Sequence, residues 1–375
     1  MSRPGIACFS NLDYGLLRYR KQHLMDRLAS RLPVLYVNPP RAIKSRDLLT
    51  AVRWRQPIEG LTVFEPPVLP GVRTRPRLQR LNYRLIASRL AGWCARHDPF
   101  VLWIYSPHAL PFVDLLRPDL VVYDVADLYA TPGGPSLRDR NEAREVARLA
   151  ELEAALLHRA DLVLAVSEPL VERLGEQGVR AHLVPNGSDW TRYATYVPPP
   201  RQGRPRLGFV GAIAPRVNVD LIAEVARRRP GWDIVLVGPV STAVDALAEL
   251  PNVRLTGEVP YDAVPGVISA FDVCLLPLHE IPFAYCSSPI QVYDYLAAGR
   301  PVVSTPVAQL ERLPEVVRTA RGANAFVEAI EQALDEEAGA ADARRAFARA
   351  NSWDARVETI LALLQERLPA LAAAA

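Results

Sequence analysis

No run of about 18 apolar residues, the length a membrane-spanning helix needs, occurs in this 375-residue chain, although half of its residues are apolar. Cysteine is scarce: Cys8, Cys94, Cys274 and Cys286 are scattered, with no metal-binding spacing. That argues against a zinc site or a disulfide framework. With no secretory signal at the start, it suits a reducing cytoplasm. Charge of one sign is lacking too. The net charge is +3, so no bulk polyanion and no nucleic acid is implied as a partner. No Asp-x-Asp pair follows a strand; Asp124 and Asp127 have two residues between them. No metal and no cofactor is therefore expected.

Proline is abundant, at 34 residues. Dispersed among apolar strands, it signals turns and rigid connections rather than disorder. The length suits two domains of ordinary size, and two halves repeat one rhythm. Strands are expected at 5–10, 33–38, 101–105, 120–123 and 162–166, with helices at 20–32 and 137–158 among them. A proline-rich break follows at 196–205, with Pro198-Pro199-Pro200 and Pro205 around Gly203. Strands then return at 207–210, 233–237, 253–256, 273–276 and 301–304, with a helix at 219–229 and an Ala/Leu-rich helix at 353–375. Strands alternating with helices predict parallel sheets covered on both faces.

The most informative segment is Ser287 to Ser304, SSPIQVYDYLAAGRPVVS. It reads as loop, short helix, glycine stop and buried strand. Ser288 suits the N-cap and Pro289 the first helical position; Gly299 suits the stop. Ile290, Tyr293 and Leu296 give the helix a face to bury. Gln291 and Asp294 share another face. Free N–H groups at Ser288 to Ile290, with the positive end of the helix dipole, would bind an anion. A carboxylate one turn later would take sugar hydroxyls.

This segment resembles the donor-site helix of the GT-B glycosyltransferases, in particular the large retaining set called group 1 or family 4. The usual pattern there is Ser-Pro-x-Lys-x-x-Glu-Tyr-x-Ala-x-Gly-x-Pro-Val-Val. The resemblance implies an α/β fold of two Rossmann-like domains with a cleft between them and a C-terminal helix crossing back to the first. It places an acceptor domain at 1–197 with the helix at about 353–375, a linker at 198–205 and a nucleotide-sugar donor domain at 206–352. Asp294 stands where a glutamate holds the ribose, and Gln291 where a lysine is common. Gly208-Phe209-Val210-Gly211-Ala212-Ile213 is similar to the strand and glycine turn that open the family's donor domain. Ala212 and Asn218 replace its usual arginine and lysine, and Arg216 is the nearby cation. The diphosphate would then rest on Gly211, Arg216, Asn218, Ser287, Ser288, Pro289 and Ile290, with Gly15 as the glycine that admits it. Gly257, Glu258 and Val259, within a stretch from Leu255 to Tyr261, resemble the loop beneath the nucleobase. Cys286 stands where a donor-sugar glutamate is frequent, with Glu280 upstream as a substitute or a solvated acid.

In the first half, a buried strand ending in Asp124 and Asp127 lies at the carboxyl edge where α/β sheets bind ligands. Asp127 is the chosen catalytic acid; Asp124 is an alternative or a brace for the loop. His108 is a third candidate for the cleft. Arg18 and Arg20, near a helix start that disfavours cations, are candidates for an anionic acceptor or phosphate. The stretch 41–89 carries eleven Lys/Arg against Asp47, Glu59 and Glu65. Its basic and apolar residues suit an anionic membrane surface as well as a solvated face. The expected activity is sugar transfer, metal-independent and retaining, from a nucleotide diphosphate sugar to a glycan or lipid-linked acceptor in cell-surface polysaccharide synthesis. The alternatives are a nucleotide-sugar epimerase of the same fold and a non-catalytic binding subunit.

Overall fold

The computed structural model describes all residues except 1–2, 16–17, 43–52, 70–71, 73–74, 129–141, 197–202, 338 and 372–375. The triple proline of the expected linker lies outside the described residues, as does Arg73. The chain divides into two compact units. One holds Met1–Val166, Leu170–Val184 and Val357–Ala375; the other holds Ser167–Pro169 and Pro185–Arg356. The switch thus falls at Pro185, earlier than the proline-rich break.

The first unit contains β1 (Gly5–Phe9), α1 (Arg20–Ala29), β2 (Val34–Val37), β3 (Arg41–Ala42), β4 (Arg53–Ile58), β5 (Leu61–Glu65), β6 (Pro67–Val68), α2 (Pro76–Cys94), β7 (Phe100–Ile104), α3 (Pro111–Leu116), β8 (Leu120–Val125), α4 (Glu142–Leu157), β9 (Leu162–Ala165), α5 (Glu168–Glu176) and β10 (Ala181–Leu183). Its eight-stranded sheet runs β10-β9-β8-β7-β1-β2-β5-β4. All neighbours are parallel except the β4–β5 pair at the edge. β1, β2, β7, β8 and β9 are buried along their length. Covered on both faces, they read as unbroken apolar runs rather than alternating ones.

The second unit contains α6 (Trp190–Tyr193), β11 (Arg206–Val210), α7 (Val219–Arg228), β12 (Asp233–Val237), β13 (Val253–Gly257), α8 (Val264–Ser269), β14 (Val273–Leu276), α9 (Pro282–Tyr285), α10 (Ile290–Ala297), β15 (Val302–Ser304), α11 (Ala308–Glu311), β16 (Arg318–Thr319), α12 (Gly322–Leu334) and α13 (Ala340–Ala350). Its six-stranded parallel sheet runs β13-β12-β11-β14-β15-β16. The last helix, α14 (Trp353–Arg367), begins in this unit and is counted with the first from Val357. It ends at Arg367, short of the expected 375.

Each sheet has one switch point, where the chain stops winding to one side and starts on the other. In the first it lies between β1 and β7, in the second between β11 and β14. Open α/β sheets bind ligands outside the carboxyl ends of such strands.

Candidate functional site

At the second switch point, β11 runs into Gly211, whose φ is 151°. A Cβ on Gly211 would lie 2.6 Å from Nε2, the flexible end of Gln291, so this turn and α10 lie side by side, and it is the φ that favours a glycine. Gly238, ending β12 with φ 142°, is more tightly constrained: its Cβ would meet the Gly211 carbonyl oxygen at 2.1 Å. The Ile213 N–H donates to the Pro239 carbonyl at 2.9 Å, and the Val210 N–H donates to Tyr295 Oη at 2.8 Å. Two turns and one helix are thus locked together at the sheet edge.

The helix α10 starts one residue later than its sequence suggests. Pro289 is the N-cap. Ser288 is buried, and its Oγ accepts the Asn186 N–H at 3.1 Å while its carbonyl accepts the Asn186 side-chain amide. Ser288 anchors the loop rather than capping the helix. Pro289 has no N–H to offer. The donors left open are those of Ile290 and Gln291, which have no partner among the described residues. They sit at the positive end of the helix, an arrangement that favours an anion. The helix stops as expected: Gly299 has φ 72°, its N–H reaches the Leu296 carbonyl at 2.9 Å, and the Arg300 N–H reaches Tyr295 at 3.0 Å. This is a Schellman cap.

One turn into α10, Asp294 is partly buried. Asp189 and Tyr193 are its neighbours, and both act on its carboxylate. Burial, and then the neighbouring Asp189 carboxylate, push its carboxyl up to about 7, against the pull of Arg192. Arg192 lies 3.7 Å from the centre of the Tyr261 ring and donates to the Tyr261 carbonyl at 2.8 Å. Tyr261 Oη donates to Asp189 at 3.3 Å. Two carboxylates beside two phenols can accept hydroxyl protons from a polyol such as a ribose.

The other donor-side candidates fall in varied places. The Gly257 carbonyl, at φ 74°, accepts the Gly238 N–H at 2.9 Å. Glu258 is exposed, and Val259 packs on the core. Ser287 donates its hydroxyl to the Ala284 carbonyl at 2.7 Å. Arg216 is partly buried and is carried on the loop that the His279 N–H ties down at 2.8 Å. Asn218 is a helix cap: its Oδ1 accepts the Leu221 N–H at 2.9 Å. The need of α7 for a cap explains an asparagine there. Glu280 is ion-paired with Arg321, a surface bridge rather than a sugar contact.

The first switch point gathers charges. Asp124, fully buried, takes Arg20 Nε on both oxygens at 3.0 and 3.1 Å. Arg20 is itself buried, so it is a brace for this strand end and not an exposed acceptor ligand. Asp124 is that brace's partner. Arg18 is held by Asp26 and the Tyr14 hydroxyl, which gives it a structural task as well. Asp127 follows on the loop and is partly exposed. His108 lies in a short turn beside Glu145 of α4, 3.7 Å away; burial lowers its pKa. Gly15 is exposed, and a Cβ there would meet open space.

Two stretches of the chain match glycosyltransferase families: residues 204–336 match Glycosyl transferases group 1, and residues 25–187 match the Glycosyl transferase 4-like domain. The chain is a group 1 glycosyltransferase of the GT-B fold. It is 26% identical over 369 residues to the teichuronic acid biosynthesis glycosyltransferase TuaH, described as putative, of Bacillus subtilis strain 168, covering 92% of each chain. It is 29% identical over 269 residues to a GDP-mannose-dependent alpha-mannosyltransferase of Mycolicibacterium smegmatis, covering 66% of this chain and 65% of that one. Among solved structures, sucrose-phosphate synthase from Thermosynechococcus elongatus superposes with a TM-score of 0.73 at 17% identity, covering 98% of this chain and all of the other. Anabaena HepE, solved with UDP and glucose, superposes with a TM-score of 0.68 at 16% identity, over 97% and 100%. These two likenesses concern the fold.

Sequence reasoning missed several residues of this glycosyltransferase's candidate site. Asn186, Asp189 and Tyr193 come to α10 from the segment after β10, which the expected boundary at 197 assigned elsewhere. A signal was there: Pro185-Asn186-Gly187-Ser188-Asp189 is a dense turn cluster at a strand's carboxyl end. Gly238, at the end of β12, was open to the same reading as Gly211.

Proposed function

We propose that this glycosyltransferase takes its sugar from a nucleoside diphosphate sugar bound on the second unit. The diphosphate rests against the Gly211 turn, the open N–H groups of Ile290 and Gln291, and Arg216. Asp294 takes the ribose hydroxyls, and the loop of Gly257 to Val259 receives the base. The observation that carries this reading is the meeting of Gly211, Gln291 and the open start of α10 at the switch point. The glycosidic C–O bond breaks and the diphosphate leaves with the electron pair. The acceptor hydroxyl oxygen bonds to the same carbon with retention, and its proton passes to the departing phosphate. Helix N–H groups and Arg216 offset the charge of the leaving group. We assign the catalytic carboxylate to Asp127 of the first unit.

No divalent cation or cofactor enters this scheme. Among the described residues no group of three His, Cys, Asp or Glu is placed to hold a metal. The acceptor is a glycan or lipid-linked saccharide of a cell-surface polysaccharide, a reading supported by the name of the Bacillus relative. No described helix is long and apolar enough to cross a membrane. We assign a cytoplasmic protein peripheral to the inner membrane face, held there by α2. Arg77, Arg80, Arg84 and Arg89 share an exposed face of that helix with Leu81 and Leu85, which are 47% and 46% exposed. Titration calorimetry with UDP and GDP, in magnesium and in excess chelator, tests the donor site. Equal binding in both supports it, and loss of binding in chelator contradicts it.

A further inference from the structure

Between α6 and α13, within the second unit, lies a cavity of about 490 Å³ that has no part in the donor site. Trp190, Arg345, Ala346, Arg349 and Ala350 line it, and its size falls within the ~300–1,000 Å³ of small-ligand sites. Arg345 and Arg349, like Ala346 and Ala350, are four residues apart, so all four share one face of α13. The alanines leave room between the arginines and the indole. Helix α13 carries Arg344, Arg345 and Arg349 against Asp342 alone. Arg344 is buried and occupied by the Gly299 carbonyl and Glu336. Arg345 meets Asp342 at 3.3 Å, but the Asp342 side chain is 84% exposed, so the pair holds the guanidinium weakly. Arg349 is exposed and has no ion pair or hydrogen bond among the described residues. Trp190 packs part of its ring on the core. Its indole N–H has no hydrogen-bond partner among the described residues, yet it is not shut away from water. A Cβ on Gly299 would lie 2.9 Å from Arg345 Cζ. The cavity thus adjoins the glycine stop of α10, the opposite end from the open N–H groups of Ile290 and Gln291.

We propose that this cavity binds an anionic sugar unit, one carrying a carboxylate or a phosphate, apart from the nucleotide donor. Guanidinium groups grip either anion through paired N–H bonds. The indole offers a flat apolar surface to the C–H face of a sugar ring and an N–H to a hydroxyl. A neutral sugar leaves the arginines unused, and a bare anion leaves the indole unused. A second hold on an acidic glycan raises its local concentration at the enzyme without touching the chemistry. The site does not depend on the donor assignment made above.

Titration calorimetry on the full chain tests it with trigalacturonate, glucose 6-phosphate, maltotriose and inorganic phosphate. At least one of the two anionic sugars should bind about tenfold or more tighter than maltotriose and inorganic phosphate, the worth of one charged hydrogen bond. Salt should weaken that binding, and the sugar that binds tells carboxylate from phosphate. Arg349→Glu should lose about tenfold or more in affinity for it. Arg349→Lys should keep part, having the charge without the fork, and Trp190→Leu should bind more weakly. All three should keep wild-type affinity for UDP and GDP. Binding of neither anionic sugar, or equal binding of maltotriose, overturns the proposal. Equally tight binding of inorganic phosphate overturns it too, leaving an adventitious ion only. An Arg349→Glu that binds like wild type does the same. Melting temperatures accompany each variant; should Trp190→Leu fail to fold, the two variants of the exposed Arg349 decide. Absence of UDP and GDP binding beside intact anionic-sugar binding would strike the donor reading and leave this site standing.

Discussion

Asp294→Asn should make the protein more stable and a poorer nucleotide binder at the same time. The Asp294 carboxyl, ordinarily at 3.8, is raised to about 7 by burial and by the adjacent Asp189. A carboxyl raised on folding binds more protons in the native than in the unfolded state between those two values. Stability therefore falls as pH rises through this window, and the whole cost is present above about pH 7. Three units at about 1.4 kcal/mol each give an upper bound near 4 kcal/mol. Asp294 keeps some exposure, so screening lowers that to roughly 2–3 kcal/mol. The asparagine does not titrate. Its stability advantage should already be about a third of its full size at pH 5, where the unfolded carboxyl is ionised, and reach about 2 kcal/mol at pH 8.5 in urea denaturation. In calorimetry at pH 8.5 the same variant should lose ~1–3 kcal/mol of UDP or GDP affinity, the worth of a charged hydrogen bond. Wild-type affinity should rise with pH across the same window, since the ionised form accepts the ribose hydroxyls. A variant less stable than wild type at pH 8.5, with unchanged nucleotide affinity, would refute both halves of the reasoning.

Other consequences are direct. Asp124→Asn leaves Arg20 buried without its counter-charge and should cost ~3–5 kcal/mol in denaturant unfolding; a loss below about 1 kcal/mol would mean the pair is solvated. Asn218→Ala should cost about 1 kcal/mol by removing the cap of α7 and leave UDP affinity intact; a weakened Kd would return Asn218 to the donor site. Replacing Arg77, Arg80 and Arg84 with glutamine should abolish preferential sedimentation with anionic vesicles, at ~1 kcal/mol per charge. Wild-type protein that sediments equally with neutral and anionic vesicles would make α2 a solvated face.

The sequence carried the fold because the parallel strands, buried on both faces, are unbroken apolar runs. The edge hairpin of β4 and β5 was not read. β4 is exposed throughout, so no burial pattern marks it. At the candidate site, the glycine turn after β11, the helix α10 and the Gly299 stop were legible, since strand ends, helices and caps depend on neighbours in the chain; the approach of Gly211 to the distant Gln291 was not. Arg20 was not. A basic residue at a helix start looks solvent-facing, and the Asp124 that buries it lies a hundred residues away. Asn218 was given a ligand's role from a resemblance, and the local need of α7 for a cap, which its Oδ1 meets, was not read.

The central claim is that the chain transfers sugar from a nucleoside diphosphate donor. Its most direct test is release of nucleoside diphosphate from a panel of UDP- and GDP-sugars. The purified protein would be assayed with and without a lipid-linked saccharide extract, beside Asp294→Asn. The account predicts release from at least one donor, stimulated by the extract, persisting in excess chelator and strongly reduced in the variant. No release from any donor, with or without the extract, would contradict it, as would release indifferent to Asp294→Asn.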